Sequence, residues 1–435
     1  KHRILDPMAA QAEDGTVDDK PGLGQARQFS PGPTGPRYAG PLEGRGCMHR
    51  CSVQSFSLDF DALVGEEPRF TVHVESTVAE LKAHEGPVFL AGGVSGNPQP
   101  LLIFTSKPYP SGNASGCSGE TTSESTLVGD IRALEVETGA VHKLLTTASL
   151  PNGATLGADG RVYMCFQGQH LRDAGEGQHM EIAAGLYSVA AADLADSSKW
   201  TAMVTKWEGM RFNSPNDVVV RETDGSVWFT DPCYGFLQAF RPEPQVGDWV
   251  WRLDCNTGKV AIVGDGFYHP NGLVFSRDEM TLYVTDTGWA TGKQAEPVDP
   301  LAPRCIHAFT VIGNGKRLGA RRLLYVADQG IPDGLKIDSQ GRLYAGCADG
   351  VHVVAPDGDL LGKILVAGCI EGVANLCFGQ GQFSSTLFML AESAIVSIKL
   401  NTTGPALPES GASSMEEKEK DKKSGDKEEK DKRAS

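Results

Sequence analysis

Four Pro-Asx dipeptides stand just ahead of short apolar runs: Pro151-Asn152, Pro215-Asn216, Pro270-Asn271 and Pro332-Asp333. A fifth, weaker copy reads Glu371-Gly-Val-Ala-Asn375, and upstream Glu85 opens a related Glu-Gly-Pro-Val stretch. A lone Pro-Asn-Gly is a turn signature; the recurrence of the pattern in register suggests a site. Carboxylate and amide oxygens are hard ligands, suited to calcium, magnesium or manganese, and two carboxylates neutralise one divalent ion. Around the repeats stand further groups that could take part: Asp217 beside Asn216, Asp231 and Asp286 at the ends of apolar runs, His269 two residues before Asn271, and Tyr234 and Phe236 as candidate pocket walls. For Asp231 and Asp286 the alternative is strand-end capping, and for His269 a ring bonded to backbone. No Gly-x-Ser-x-Gly elbow is present, which argues against an α/β-hydrolase nucleophile. The ten cysteines form no paired CxxC knuckles, so a zinc-finger reading has no support.

The elements that must position these groups follow from the same repeats. Each Pro-Asx opens a short alternating strand, then a tight polar turn, often Asp-Gly or Gln-Gly, then a second strand ending on an aromatic, as in Pro270-Asn-Gly-Leu-Val-Phe-Ser-Arg-Asp-Glu-Met-Thr-Leu-Tyr. With Glu85 leading to Leu101-Leu-Ile-Phe, six such hairpins are legible. The intervals leave room for two more strands each, for example Val250–Leu253 with Val260–Val263. The expected fold is therefore an all-β, six-bladed β-propeller with four-stranded blades, a β-sandwich being the competing arrangement. Rotation about one axis then brings equivalent strand mouths to one level of the central channel, so a repeated Asx becomes a ring. Residues 1–52, with their Gly-Pro-rich stretch, are expected to be an arm of no assigned fold, 53–404 the propeller, and 405–435 a disordered charged tail.

Composition agrees: 52 Gly and 25 Pro with 40% hydrophobic residues suit a turn-rich globular chain. The formal charge of −15 argues against nucleic acid as a partner, because phosphate binding needs basic faces. Acidic and basic residues balance between Glu416 and Arg433, so the negative charge belongs to the folded part. No apolar run reaches membrane-spanning length; the chain is expected to be soluble, cytoplasmic or secreted, with a small molecule as its partner. A local Cys47–Cys51 disulfide and two free thiols are equally open, and Asn113 and Asn401 sit in glycosylation acceptor patterns that matter only on a secreted chain.

From about Glu85 to Leu400 the chain resembles the gluconolactonase, regucalcin and lactonohydrolase family, the fungal lactonohydrolases being its most similar branch. The resemblance is densest at Phe212-Asn-Ser-Pro-Asn-Asp-Val-Val-Val, Trp228-Phe-Thr-Asp-Pro, His269-Pro-Asn-Gly-Leu-Val-Phe-Ser, Leu282-Tyr-Val-Thr-Asp-Thr-Gly and Ile331-Pro-Asp-Gly-Leu. It implies a lactonase with one divalent ion, calcium first and Mg²⁺, Mn²⁺ or Zn²⁺ as alternatives, held by Glu85, Asn271 and Asp333. The family's substrate-side asparagine falls on Asn216. On this reading the ion polarises the lactone carbonyl and activates water, Asp333 doubles as general base, Asn216 and Asp217 orient the substrate, and His269 and Tyr234 contact it. An aryl esterase or organophosphatase of paraoxonase type, and a non-catalytic ligand-binding propeller with a structural ion, are the rival functions. Where bacterial members often carry Cys-Glu-His-Gly, this chain reads Cys165-Phe-Gln-Gly, neutral groups in place of a charged pair, so the bacterial members' substrate preference is not carried over. The Ser/Gly-rich insertion from Pro108 to Ser125 also lies outside the resemblance.

Overall fold

The structure is a computed structural model that describes residues 37–38, 50–76, 78–111, 126–172, 179–367 and 372–405. Cys47, Asn113, Glu371, most of the 108–125 insertion and the charged tail beyond 405 lie outside the described residues.

Six antiparallel sheets follow one another along the chain and make a six-bladed β-propeller. The innermost strands, taken in order as blades 1 to 6, are Ala83–Leu90, Pro151–Leu156, Val218–Arg221, Pro270–Phe275, Leu335–Ile337 and Asn375–Phe378. Each pairs with the strand that follows it, through tight turns in blades 2 to 5, as the Asp-Gly and related turns lead one to expect, and through longer connections in blades 1 and 6: Val218 faces Phe229, and Leu273 faces Val284. The two further strands foreseen for the third blade are present as Trp249–Asp254 against Lys259–Gly264.

Two features close and thicken the ring. Blade 6 takes three strands from the C-terminal end and its outermost, Phe70–Glu75, from the N-terminal end, with Phe70 opposite Ile398. Blade 5 gains Arg50–Ser55 along Leu360–Ala367, a strand that runs through the expected arm boundary at 52–53. Apolar faces pack neighbouring blades together. Between blades 3 and 4, for instance, Trp228, Val250, Leu273, Phe275, Leu282 and Val284 form one buried cluster, and burying each such side chain contributes about 1.5–3 kcal/mol. Among the described residues no helix is long and apolar enough to cross a membrane.

Candidate functional site

The inner strands are irregular where the repeated Asx and Glu stand. Pairing slips between Glu85 and Val88 in blade 1, between the partners of Met164 and Phe166 in blade 2, which brackets Asn152, and between Pro270 and Leu273 in blade 4. A β-bulge re-aims the side chain it carries, and here it turns strand-mouth residues toward the axis. The glycines after Asn152 and Asn271 leave room for the next blade. A Cβ on Gly153 would lie 2.4 Å from the Asn216 carbonyl oxygen, and one on Gly272 2.4 Å from that of Asp333. Threonines on the second strands fix these carbonyls: Thr105 Oγ1 donates to Asn152 O at 3.1 Å, Thr230 to Asn271 O at 2.7 Å and Thr285 to Asp333 O at 3.0 Å. The repeat thus encodes a ring in which each blade holds the backbone of its successor.

The ring surrounds an open axial cavity of about 470 Å³ lined by Glu85, Asn152, Asn216, Asn271 and Asp333, together with Tyr234. The Oδ1 atoms of Asn152, Asn216, Asn271 and Asp333 are buried without a hydrogen-bond partner. Buried polar atoms in folded proteins almost always have one, so four orphaned oxygens in one cavity wall are a donor set awaiting a ligand. Two carboxylates are among the lining groups. Burial, and then the neighbouring Asp333, push the Glu85 carboxyl well above its ordinary range; Asp333 is likewise raised by burial, with His84 opposing. A hard divalent cation would relieve both strains at once, and the residues present fit it.

Other groups around the ring have defined tasks. Asn375, weighed as a possible ring member, donates through Nδ2 to Glu85 Oε2 at 2.6 Å and accepts the Leu376 amide on its own oxygen at 2.8 Å, so it positions Glu85. Asp217 is 1% exposed and lies off the cavity wall; its Oδ2 is unpartnered and 3.9 Å from Lys336 Nζ. His269 also stands off the wall, its Nδ1 2.8 Å from Asp248 Oδ2 and its ring 4.8 Å from that of Tyr234. Tyr234 does line the cavity, with its hydroxyl 2.6 Å from Thr287 Oγ1, whereas Phe236 is 44% exposed and outside it. Asp231 receives the backbone N–H of Asn213 at 2.9 Å and of Ser214 at 2.8 Å; Asp286 receives those of Tyr268 at 3.1 Å and His269 at 3.0 Å. These two carboxylates clamp the segments that lead into the ring residue of their own blade, Asn216 and Asn271 respectively. Asp231→Asn turns an amide group against one of those N–H donors, and is expected to destabilise the fold by about 1–3 kcal/mol, read from the midpoint of chemical denaturation.

Sequence reasoning missed His84, Lys107, Gln238 and Phe240, all of which line the cavity, as does Gln167 of the Cys165-Phe-Gln-Gly stretch. His84 Nδ1 lies 2.6 Å and Lys107 Nζ 3.3 Å from Glu392 Oε1. Burial works to lower His84, but Glu392 outweighs it and the ring is held above its ordinary value. Lys107 follows Thr105-Ser106, the blade 1 counterpart of Thr230-Asp231, so superposing the repeats on their second strands would have found it.

A six-bladed propeller whose inner strand mouths present carboxylate and amide oxygens to one open axial cavity defines a class of ring proteins with an axial oxygen-donor centre. Residues 127–393 match the SMP-30/Gluconolactonase/LRE-like region, and the chain belongs to that family. It is 31% identical over 265 residues to a gluconolactonase of Zymomonas mobilis, covering 58% of this chain and 64% of that one. It is 37% identical over 175 residues to lactonohydrolase oryH of Aspergillus oryzae, covering 38% and 36%. The matches thus span less than two thirds of either relative. Among solved structures, a gluconolactonase from Xanthomonas campestris superposes with a TM-score of 0.59 at 24% identity, over 86% of this chain and 100% of the other, which is a likeness of fold.

Proposed function

We propose that this chain hydrolyses a lactone of the aldonolactone or sugar-acid type, using one divalent ion, calcium in the first place, held by Glu85, Asn271 and Asp333. The observation that carries this reading is the convergence of unpartnered buried oxygens on a cavity that stays open on one side. A purely structural ion calls for a coordination sphere closed by protein, whereas a catalytic one leaves positions for water and substrate. The names of the bacterial and fungal relatives support the reaction class.

Bound there, the ion would polarise the ester carbonyl and acidify a water molecule. The protein's own groups do the rest. Asp333, whose Oδ1 is free of other bonds and whose basicity burial raises, takes a proton from the attacking water. As the ring C–O bond breaks, the same carboxyl returns that proton to the departing oxygen, and the product is a hydroxy acid. Asn216 and Asn152 offer amide groups to substrate oxygens. The polar wall of Gln167, Gln238, Lys107 and His84 suits a ring bearing several hydroxyls better than an apolar aryl ester. Tyr234 walls one side.

The test is a pH-stat screen of aldonolactones, pantoyl lactone and aryl esters with chelated protein refilled with Ca²⁺, Mg²⁺, Mn²⁺ or Zn²⁺. Acid release from an aldonolactone that disappears on chelation and returns with a divalent ion is the expected result. Turnover of aryl esters alone, lactone hydrolysis indifferent to chelation, or no turnover with any ion would each overturn the reading.

A further inference from the structure

A second group of donors lies outside the axial cavity. Cys233 stands at the turn after Asp231-Pro232, Asp248 immediately before the strand Trp249–Asp254, and His269 immediately before Pro270–Phe275. Three separate segments of blades 3 and 4 therefore bring together a thiol, a carboxylate and an imidazole, with one donor atom from each within 4.8 Å of the other two. Asp248 and His269 retain only 13% and 14% side-chain exposure, so the group is sheltered but reachable. The scaffold is fixed from behind, because the amide of His269 is held by Asp286 at 3.0 Å and its ring packs on Tyr234.

We infer that Cys233, Asp248 and His269 form a second metal site, for zinc or a similar borderline ion. Tetrahedral zinc holds N, O and S donors at about 2.0–2.3 Å, which sets them roughly 3.3–3.7 Å apart. The three donors, within 4.8 Å of one another, reach that spacing by shifts of about 1 Å, the 2.8 Å Asp248–His269 hydrogen bond opening and any longer separation closing. Charge balances as well: a thiolate, a carboxylate and a neutral imidazole offset one divalent cation. On binding, the Cys233 proton leaves to solvent and the imidazole proton moves from Nδ1 to Nε2, freeing Nδ1 for the ion. A fourth position stays open to water. The donor set also separates the two centres, since hard oxygens on the axis favour calcium and a thiolate with an imidazole favours zinc.

The other cluster of this kind makes the contrast. Asp328, Asp349 and His352 also lie close together, but the Lys363 ammonium already sits between the carboxylates, at 2.6 Å and 3.0 Å. That group has its cation built in; Cys233, Asp248 and His269 do not. An ion at the second site would tie Cys233 to the start of blade 4 and so fix Tyr234, the next residue, which walls the substrate cavity. The site stands whether or not the protein is a lactonase.

The experiment uses the full chain, chelated and then supplied with saturating Ca²⁺ to fill the oxygen centre, and titrates Co²⁺ while recording thiolate-to-cobalt charge-transfer absorption. Expected is a band that saturates near one equivalent, is bleached by Zn²⁺, persists in Cys255→Ser and is lost in Cys233→Ser, with Asp248→Asn weakening the titration about tenfold. Near-UV circular dichroism checks that each variant is folded. Absence of the band in the unaltered protein would reduce the group to a hydrogen-bonded triad, and a band of equal strength in folded Cys233→Ser would place the thiolate elsewhere; either result overturns the inference.

Discussion

Asp333→Ala is expected to lower lactone hydrolysis at least about a thousand-fold, near 4 kcal/mol of transition-state stabilisation, while leaving the fold intact. Two functions fall on this one carboxylate in the proposed mechanism: it is a ligand of the axial ion and the acceptor of the water proton. The side chain does not hold the ring together, because Asp333 contributes to the architecture through its backbone: its carbonyl accepts from Thr285 and its amide donates to Gly346 O at 2.8 Å. Steady-state kinetics beside a calcium titration separate the two functions. Asp333→Asn keeps an oxygen for the ion but no base, so saturating Ca²⁺ should restore binding in that variant without restoring turnover.

Glu85→Gln should move two observables in opposite directions. Glu85 is 3% exposed, and burial together with repulsion from Asp333 holds its carboxyl well above its ordinary range in the metal-free fold, so the folded chain disfavours there a charge that the unfolded chain carries at neutral pH. Removing one charge relieves that repulsion, and the metal-free variant should melt a few degrees higher, on the order of 1 kcal/mol in a domain of this size. The bond from Asn375 survives, because a glutamine oxygen accepts it equally well. Calcium affinity should nevertheless fall about a hundred-fold, or roughly 2.7 kcal/mol, since a neutral amide replaces one of two anionic ligands. Calorimetry of metal-free and calcium-loaded protein reads both effects. A variant destabilised in the metal-free state would show that Glu85 serves the fold rather than an ion.

The propeller was legible because its geometry constrains the sequence at one repeated spot. Where the next blade passes close, a residue without Cβ stands beside the Asx: Gly153 and Gly272 meet a neighbouring backbone carbonyl, and Gly334 meets the Asn375 side chain. Arg50–Ser55 was illegible as a blade strand for the opposite reason. It is a short run with no turn partner near it, and it pairs with Leu360–Ala367 at the far end of the chain. Phe70–Glu75 alternates apolar and polar residues as a strand does, but nothing local announces that it closes the ring against Ala394–Lys399 at the other end of the propeller.

In the site, the lining oxygens followed from the repeat, and the departures follow from side-chain direction. Just ahead of the strand Val218–Arg221, Asn216 reaches the cavity while Asp217, one residue on, turns off its wall and accepts the Val218 amide on its own Oδ1 at 2.9 Å. By strand alternation His269 would share a face with Asn271, but the irregular pairing between Pro270 and Leu273 breaks that relation, and Asp248 draws the imidazole aside. His84, Lys107 and Glu392 escaped notice because their association joins the first blade to the turn between Thr386–Leu390 and Ala394–Lys399 of blade 6, a contact no local pattern announces.

Crystals of the calcium-free protein soaked in Mn²⁺ give the most direct measurement, an anomalous difference map over the ring. A single strong peak on the axis within coordination distance of Glu85, Asn271 and Asp333, with at least one position taken by water, is the result expected here. A peak remote from these three side chains, or an axis empty at saturating Mn²⁺ in crystals of active protein, would contradict it.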